Sequence, residues 1–126
     1  MSHNGELNWL ELQTKKPEEA MKFYNQLYGW SFVSETNEHG DVYWLISNED
    51  KFPFGGILTL DEKSQVNSRW VTYFQVEDVN SAIQVVGDND GKIINGPREV
   101  KGVGRVAWLQ DQEGAEFGVI APCKAR

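Results

Sequence analysis

Glu11 is the acidic residue of this chain that is best placed to do chemistry, because it lies in mid-strand between Leu10 and Leu12. A carboxylate held in such a position can accept a proton as a general base, or recognise a donor or a cation on a ligand. The alternative is a structural carboxylate, hydrogen-bonded to neighbouring polar side chains such as Gln13, Tyr73 and Gln75. We take Glu11 as the candidate catalytic residue, with both interpretations open.

Strand alternation supplies the candidate ligand-binding residues around Glu11. From Leu7 to Gln13 every second residue points to the same side of a strand, and Trp70 to Val76 repeats the pattern. Alternation also sends one of Tyr43 and Trp44, and one of Ala107 and Trp108, to that side, and the sequence does not decide which. An aromatic wall with a few fixed polar groups is typical of a small-molecule pocket. The candidate set is Trp9, Glu11, Gln13, Tyr43, Val71, Tyr73, Gln75 and Trp108.

The sequence offers no arrangement for nucleophilic catalysis by serine or cysteine. The histidines are His3, near the N-terminus, and His39, in a predicted turn, and the single cysteine, Cys123, lies near the C-terminus. No Ser-His-Asp or Cys-His arrangement for nucleophilic catalysis follows from these positions. A lone cysteine also excludes an intramolecular disulfide, which favours a reducing cytoplasm.

The elements that must position these residues form an internal repeat. A shift of 62 positions places Trp9 on Val71 and Gly29 on Gly91, a shift of 64 places Trp44 on Trp108, and a shift of 63 places Gly55 on Gly118. Each copy predicts the order β-α-β-β-β. We expect one domain over residues 1–126, with module 1 at about 7–60, a linker at 61–68 and module 2 at about 69–121.

A helical stripe lies in each predicted module. Residues at i, i+3, i+4 and i+7 are apolar in both helices, which predicts buried faces. The first stripe is Ala20, Phe23, Tyr24 and Leu27, and the second is Val79, Ala82, Ile83 and Val86.

Nearly the whole chain, about residues 7–121, resembles a known family. Phe23-Tyr24, Tyr28-Gly29-Trp30, Gly55-Gly56-Ile57 and the run from Gly104 to Gly118 are similar to the glyoxalase/bleomycin resistance/extradiol dioxygenase superfamily, also called vicinal oxygen chelate proteins. The most specific piece is the GR-hydrophobic-D-P-x-G-A-x-F-G ending, in which Gln112 stands where proline is usual. The resemblance implies an α+β fold, in which two tandem βαβββ modules form a curved mixed sheet around a cavity, and it implies a homodimer.

The family's metal ligands are not matched in this sequence. Carried over residue by residue, the ligand positions fall on Trp9, Val71, Gly118 and the stretch 55–58. None of these supplies the oxygen or nitrogen side-chain donors that a divalent ion needs. We therefore expect no metal and no cofactor.

The resemblance and the residues together favour a metal-independent small-molecule binding protein with an aromatic-lined cavity. The alternatives are a lyase- or isomerase-type enzyme of the same superfamily, with Glu11 as acid/base or with an unrecognised metal, and an interaction module without ligand chemistry. The sequence does not decide whether the protein is an enzyme.

A net charge of −7 argues against nucleic acid and anionic membranes as partners, and no apolar run of about 20 residues is present to span a bilayer. We expect a small-molecule ligand and a cytoplasmic location.

Overall fold

The computed structural model describes residues 4–36, 40–49 and 52–122, in ten elements of secondary structure. His3, His39 and Cys123 lie outside the described residues. The chain divides into two compact units, a first unit of residues 10–70 and a second unit that combines residues 1–9 with 71–126. The order β-α-β-β-β occurs twice along the chain, so the expected α+β class with two tandem βαβββ modules is confirmed.

The first unit contains one helix beside a four-stranded mixed sheet. Its strand order is β2-β3-β4-β1, in which β1 and β4 are parallel and the other neighbours are antiparallel. Pro17 begins the helix, where a missing N–H is harmless, and Gly29 ends it in a left-handed conformation. The elements are residues 10–14 of β1 (Leu7–Thr14), α1 (Pro17–Tyr28), β2 (Ser31–Thr36), β3 (Val42–Ser47) and β4 (Gly55–Thr59).

The second unit repeats this arrangement. Its strand order is β5-β8-β7-β6, with β5 and β8 parallel and the remaining pairs antiparallel. Asp78 caps the helix by accepting a hydrogen bond from the Asn80 backbone N–H. The elements are residues 71–75 of β5 (Arg69–Gln75), α2 (Val79–Asp88), β6 (Lys92–Val100), β7 (Gly104–Gln110) and β8 (Glu116–Pro122). No helix in the described part of the chain is long and apolar enough to cross a membrane.

Each unit has an apolar core between its helix and one face of its sheet. In the first unit Leu12, Ile46 and Ile57 are buried, and Ala20, Met21 and Tyr24 of α1 pack against them. In the second unit the buried residues are Val79, Ala107, Leu109 and Val119, packed by Ala82, Ile83 and Val86 of α2.

The expected burial of Phe23 and Leu27 is wrong. Their side chains are 57% and 55% exposed, because the buried face of α1 is centred instead on Pro17, Ala20, Met21 and Tyr24. Those four residues have the same i, i+3, i+4, i+7 spacing, and the stripe is rotated around the helix relative to the predicted one. The stripe of α2 packs as expected.

Strand register corrects two equivalences and resolves the open orientations. Gly56 pairs with Glu11 and Gly118 pairs with Tyr73, so Gly56 is the repeat partner of Gly118, and the expected match of Gly55 with Gly118 is wrong. Trp44 belongs to the helix-side core of the first unit and Ala107 to that of the second, so Tyr43 and Trp108 point to the opposite faces of their sheets. Trp108 pairs with Gly118, whereas the residue that pairs with Gly56 is Leu45. The expected match of Trp44 with Trp108 is therefore wrong, since the two side chains lie on different faces.

Candidate functional site

A buried polar cluster lies on the face of the first unit's sheet that is opposite its helix. Tyr43 Oη donates to Glu11 Oε1 at 2.9 Å, and Gln13 Nε2 donates to Glu11 Oε2 at 2.9 Å. Arg69 Nε donates to Gln13 Oε1 at 3.1 Å. Glu11 is 1% exposed and Gln13 is 0% exposed, so burial of the carboxylate depends on these charge-assisted bonds. We call these four residues the Glu11 cluster.

Gly56 makes room for one bond of this cluster. It is the β4 residue paired with Glu11 on β1, and a Cβ added to it would overlap the ring of Tyr43. The tyrosine side chain therefore lies across the bare backbone of Gly56 and reaches from β3 to the Glu11 carboxylate. Glycine is needed here for close approach of a side chain, as is common for glycine within a strand.

Arg69 was missed by the sequence reasoning. It is the first residue of β5 and is half-buried, with its guanidinium at the end of the hydrogen-bonded chain through Gln13. The repeat did contain a signal, because the 62-residue shift places Arg69 opposite Leu7, a cation opposite an apolar residue.

The equivalent place in the second unit is occupied by an aromatic ring. Tyr73 occupies the position that Glu11 has in the first unit, and it is 1% exposed. Its β8 partner is Gly118, where an added Cβ would overlap the Tyr73 ring. The second unit thus fills the space over its glycine with a ring from the first strand of its own module, β5.

The eight predicted ligand-binding residues are divided between the units. Glu11, Gln13 and Tyr43 come together in the Glu11 cluster, as given above. In the second unit Asn8 Nδ2 donates to Gln75 Oε1 at 2.9 Å, and Trp108 Nε1 donates to Glu116 Oε1 at 2.8 Å. The remaining three candidates, all buried in the second unit, are Trp9, Val71 and Tyr73.

The family's metal positions do not fit a metal ion. Trp9 and Val71 have no side chain that can ligate a metal, and tyrosine rings occupy the spaces over Gly56 and Gly118. No group of three or more His, Cys, Asp or Glu that could hold a metal occurs within residues 4–36, 40–49 and 52–122. Divalent transition metals bind through several converging N, O or S donors, so we assign no step to a metal.

A small open cleft lies beside the Glu11 cluster along the chain. Its volume is about 250 Å³, below the roughly 300–1,000 Å³ of pockets that hold drug-sized ligands. Thr14 follows Gln13 directly and Ser68 precedes Arg69, and these two hydroxyl groups are hydrogen-bonded at 2.9 Å. The lining residues are Thr14, Lys15, Lys16, Val66, Asn67 and Ser68. Of the two lysines, Lys16 has its Nζ 3.6 Å from Glu19 Oε2, so the lining is not purely cationic.

Solved structures with a similar fold include acyl-CoA epimerases. Methylmalonyl-CoA epimerase from Mycobacterium tuberculosis aligns over 99% of this chain and 93% of its own, with a TM-score of 0.67 and 16% identity. A variant of the Streptomyces coelicolor methylmalonyl-CoA epimerase, in complex with 2-nitronate-propionyl-CoA, aligns over 96% of both chains with a TM-score of 0.68 and 16% identity. At this identity the likeness concerns the fold alone.

Relatives found by sequence are more similar in sequence than these solved structures, but they are longer proteins. CFP32 of Mycobacterium bovis, described as a glyoxylase, is 31% identical over 122 residues, which are 97% of this chain and 46% of that protein. The anthracycline biosynthesis protein DnrV of Streptomyces peucetius is 24% identical, over 88% of this chain and 45% of that protein. The chain spans about half the length of these relatives. A family model covers residues 6–119, and the chain therefore belongs to the glyoxalase/bleomycin resistance protein/dioxygenase superfamily.

Proposed function

We propose that this chain is a small-molecule binding protein that works without a metal ion, with the Glu11 cluster as the polar centre of its site. The observation that supports this proposal is the burial of a carboxylate that the scaffold does not require. The second unit builds the same strand pair with Tyr73 in the position of Glu11. Because a buried charge destabilises the fold unless it is well paired, its presence in one unit favours a role in recognition.

The ligand that suits the Glu11 cluster is a small molecule with a hydrogen-bond donor or a positive charge, which the Glu11 carboxylate would recognise. Strand alternation puts Thr14 on the face of β1 opposite Glu11 and Gln13, so the cleft that Thr14 lines is a separate place from this cluster. The remaining members of the candidate set, Trp9, Val71 and Tyr73, are buried in the second unit, and their contact with a ligand stays a prediction. The aromatic-lined cavity itself stays a prediction.

Fluorescence titration of chelator-treated protein tests this proposal. Tryptophan emission is followed while methylmalonyl-CoA, bleomycin or an anthracycline is added. The family includes bleomycin resistance proteins, DnrV is an anthracycline biosynthesis protein, and methylmalonyl-CoA epimerases have a similar fold. We expect at least one of them to bind without added metal. Glu11→Gln and Tyr43→Phe should weaken that binding about tenfold or more, as loss of a buried polar contact does.

Glu113→Gln is the matched control, since it removes a carboxylate from an exposed turn. Thermal unfolding of every variant separates loss of binding from loss of fold. Equal affinity of wild type and a folded Glu11→Gln variant would contradict the role of the Glu11 cluster. Binding that appears only after zinc or nickel is added would contradict metal independence.

A second candidate function is acid/base catalysis by Glu11. The observation that favours it is the 2.9 Å bond from the Tyr43 hydroxyl to the Glu11 carboxylate, which places a proton donor beside a proton acceptor. In such a reaction Glu11 removes a proton from a carbon next to a carbonyl group and returns it to the same carbon. Deuterium incorporation at that carbon of methylmalonyl-CoA in D₂O, without added metal, measures this step. Absence of deuterium incorporation in wild type would argue against catalysis. Its persistence in Glu11→Gln would argue against Glu11 as the acid/base.

The homodimer and the cytoplasmic location expected from the sequence remain part of the proposal.

A further inference from the structure

The chain contains two Asn-Gly dipeptides, at residues 4–5 and 95–96. Asparagine followed by glycine is especially prone to spontaneous deamidation, because glycine has no side chain to hinder the attack of its own backbone nitrogen on the asparagine side chain. The reaction also needs a backbone that can bend back toward that side chain. The folded structure therefore decides which of the two dipeptides reacts.

The first dipeptide is held by hydrogen bonds on both of the groups that would react. The Gly5 backbone N–H, which contains the attacking nitrogen, donates to the Gln75 carbonyl oxygen at 2.7 Å. The Asn4 side chain, which would be attacked, accepts a hydrogen bond through Oδ1 from the Glu77 backbone N–H at 3.0 Å. Both bonds must break before the two groups can react, so the native structure protects Asn4.

The second dipeptide lies where the pairing of an edge strand is interrupted. β6 is the last strand of its sheet, with β7 as its neighbour. Asn95 and Arg98 pair with residues 108 and 106 of β7, so the two residues between them stand opposite only one residue of that strand. A second register shift lies between Ile93 and Asn95. Such bulges disrupt the ladder of hydrogen bonds, and the Asn95 side chain is exposed to water.

The fold itself requires glycine after Asn95. Gly96 has a φ of +94°, a conformation that L side chains rarely adopt. A Cβ added to Gly96 would lie 3.1 Å from the Val106 carbonyl oxygen and 3.3 Å from Ala107 Cα. These are backbone atoms of β7, which move aside less readily than the end of a side chain. The labile dipeptide is therefore built into the bulge.

We propose that Asn95 is a site of spontaneous deamidation in the folded protein. Hydroxide removes the proton from the Gly96 backbone nitrogen, which then attacks Asn95 Cγ. A bond forms between this nitrogen and Cγ, the bond from Cγ to Nδ2 breaks, and Nδ2 takes a proton from water and leaves as ammonia. Water then opens the resulting succinimide ring at either carbonyl carbon and gives aspartate or isoaspartate. The reaction needs no oxidant, and it does not involve the Glu11 cluster, which lies in the other unit.

The products differ from the original chain in charge and in backbone length. Both carry a carboxylate in place of the amide, so the net charge becomes one unit more negative than −7. Isoaspartate also adds one methylene group to the backbone between residues 95 and 96. The bulge can accommodate this insertion, because the paired stretches on its two sides, residues 92–93 and 98–100, are each held to β7. We therefore expect the modified protein to stay folded and to accumulate with age.

The test is peptide mapping by mass spectrometry of protein aged at mildly alkaline pH. Trypsin releases residues 93–98 as one peptide, in which Asn95 is the single asparagine, and fragmentation of the peptide 1–15 separates Asn4 from Asn8. We expect Asn95 to convert about tenfold faster than Asn4 or more, because two hydrogen bonds must first break at Asn4. The rate at Asn95 should rise with pH, since the attacking nitrogen must lose its proton.

Two controls separate the effect of structure from that of sequence. In protein unfolded by guanidinium chloride both dipeptides should convert at similar rates, since they contain the same residue pair. Asn95→Gln keeps the amide and the charge but needs a larger ring, so the acidic species on ion exchange should form much more slowly. Circular dichroism verifies that the protein stays folded during ageing. Equal rates at Asn4 and Asn95 in folded protein, no conversion at Asn95, a rate difference that persists in guanidinium chloride, or an acidic species that forms at an unchanged rate in Asn95→Gln would each overturn the proposal.

Discussion

The two units place a tyrosine ring over the same strand glycine, but they bring it from different strands. In the first unit Tyr43 comes from β3, lies over Gly56 and donates a hydrogen bond to Glu11. In the second unit Tyr73 comes from β5, stands where Glu11 stands in the other module, and lies over Gly118. The backbone is repeated, whereas the side chains that use it are not.

This difference separates what the fold needs from what a site needs. A strand glycine covered by a large ring is common to both units and is a packing solution. At the equivalent strand position the first unit has the buried Glu11 carboxylate, which accepts hydrogen bonds from a hydroxyl and an amide, whereas the second unit has a tyrosine. The first unit is therefore the more polar of the two and the better candidate for recognition of a ligand.

The largest effect is expected from removal of the second unit's ring. Tyr73→Ala deletes a side chain that is 1% exposed and leaves a cavity over Gly118, at a cost of about 3–5 kcal/mol in the free energy of unfolding. Urea unfolding followed by tryptophan emission measures it. Phe52→Ala, at a position that is 75% exposed, is the control and should change stability little. Equal losses for the two variants would show that Tyr73 is not a packing residue.

A methyl group on either glycine should be the next most damaging change. Gly56→Ala and Gly118→Ala force a Cβ into the overlying ring, and overpacking of this kind costs about 1–3 kcal/mol. Gly87→Ala in α2 is the control, because nothing lies within 4 Å of its added Cβ, and alanine should stabilise the helix by about 0.5–1 kcal/mol. If the two units are packed alike, the two strand variants lose similar stability. A tolerated Gly56→Ala would mean that the first unit's ring moves aside easily.

Loss of a hydroxyl group should have an effect of similar size, confined to the first unit. Tyr43→Phe removes the donor to Glu11 Oε1 and should cost about 1–3 kcal/mol, because the partner is a buried charge. Tyr28→Phe removes a hydroxyl from a ring that is 56% exposed and should be close to neutral. Thermal unfolding of both variants at the same pH makes the comparison. A neutral Tyr43→Phe would place the importance of the Glu11 cluster in binding alone.

The sequence predicted the elements well because the relevant signals are local. Pro17 begins α1, Gly29 ends it, and Asp78 caps α2. These residues act through backbone geometry at their own positions. The position of Glu11 in mid-strand also followed from simple alternation.

The sequence could not predict which residues share a face across strands. Trp44 and Trp108 match in letters, yet a one-residue difference in register sends them to opposite faces. Phe23 and Leu27 fit a helical stripe, but two overlapping stripes on α1 satisfy the same spacing and the core uses the other one. The bond from Arg69 to Gln13 joins residues 56 positions apart, and no local pattern encodes it.

The smallest effect is expected at the helix starts, where the two units also differ. Asp78 accepts hydrogen bonds from Ser81 Oγ and the Asn80 backbone N–H, whereas α1 has no side-chain cap. The Ser81 bond, followed by the Asn80 bond, lowers the pKa of the Asp78 carboxyl below its usual 3.8. A lowered pKa in the folded state stabilises α2 above pH 3.8, and this contribution is lost as the pH falls through the folded-state value.

Asp78→Asn tests this dependence, since asparagine caps a helix about as well as aspartate but does not titrate. The stability of wild type relative to Asp78→Asn should be greatest near neutral pH and should decline below about pH 4. Urea unfolding at a series of pH values measures the difference. Asp61→Asn is the control, because this linker carboxylate caps no helix. A difference between wild type and Asp78→Asn that stays constant from neutral to acidic pH would show that the cap of α2 acts through its shape and not through its charge.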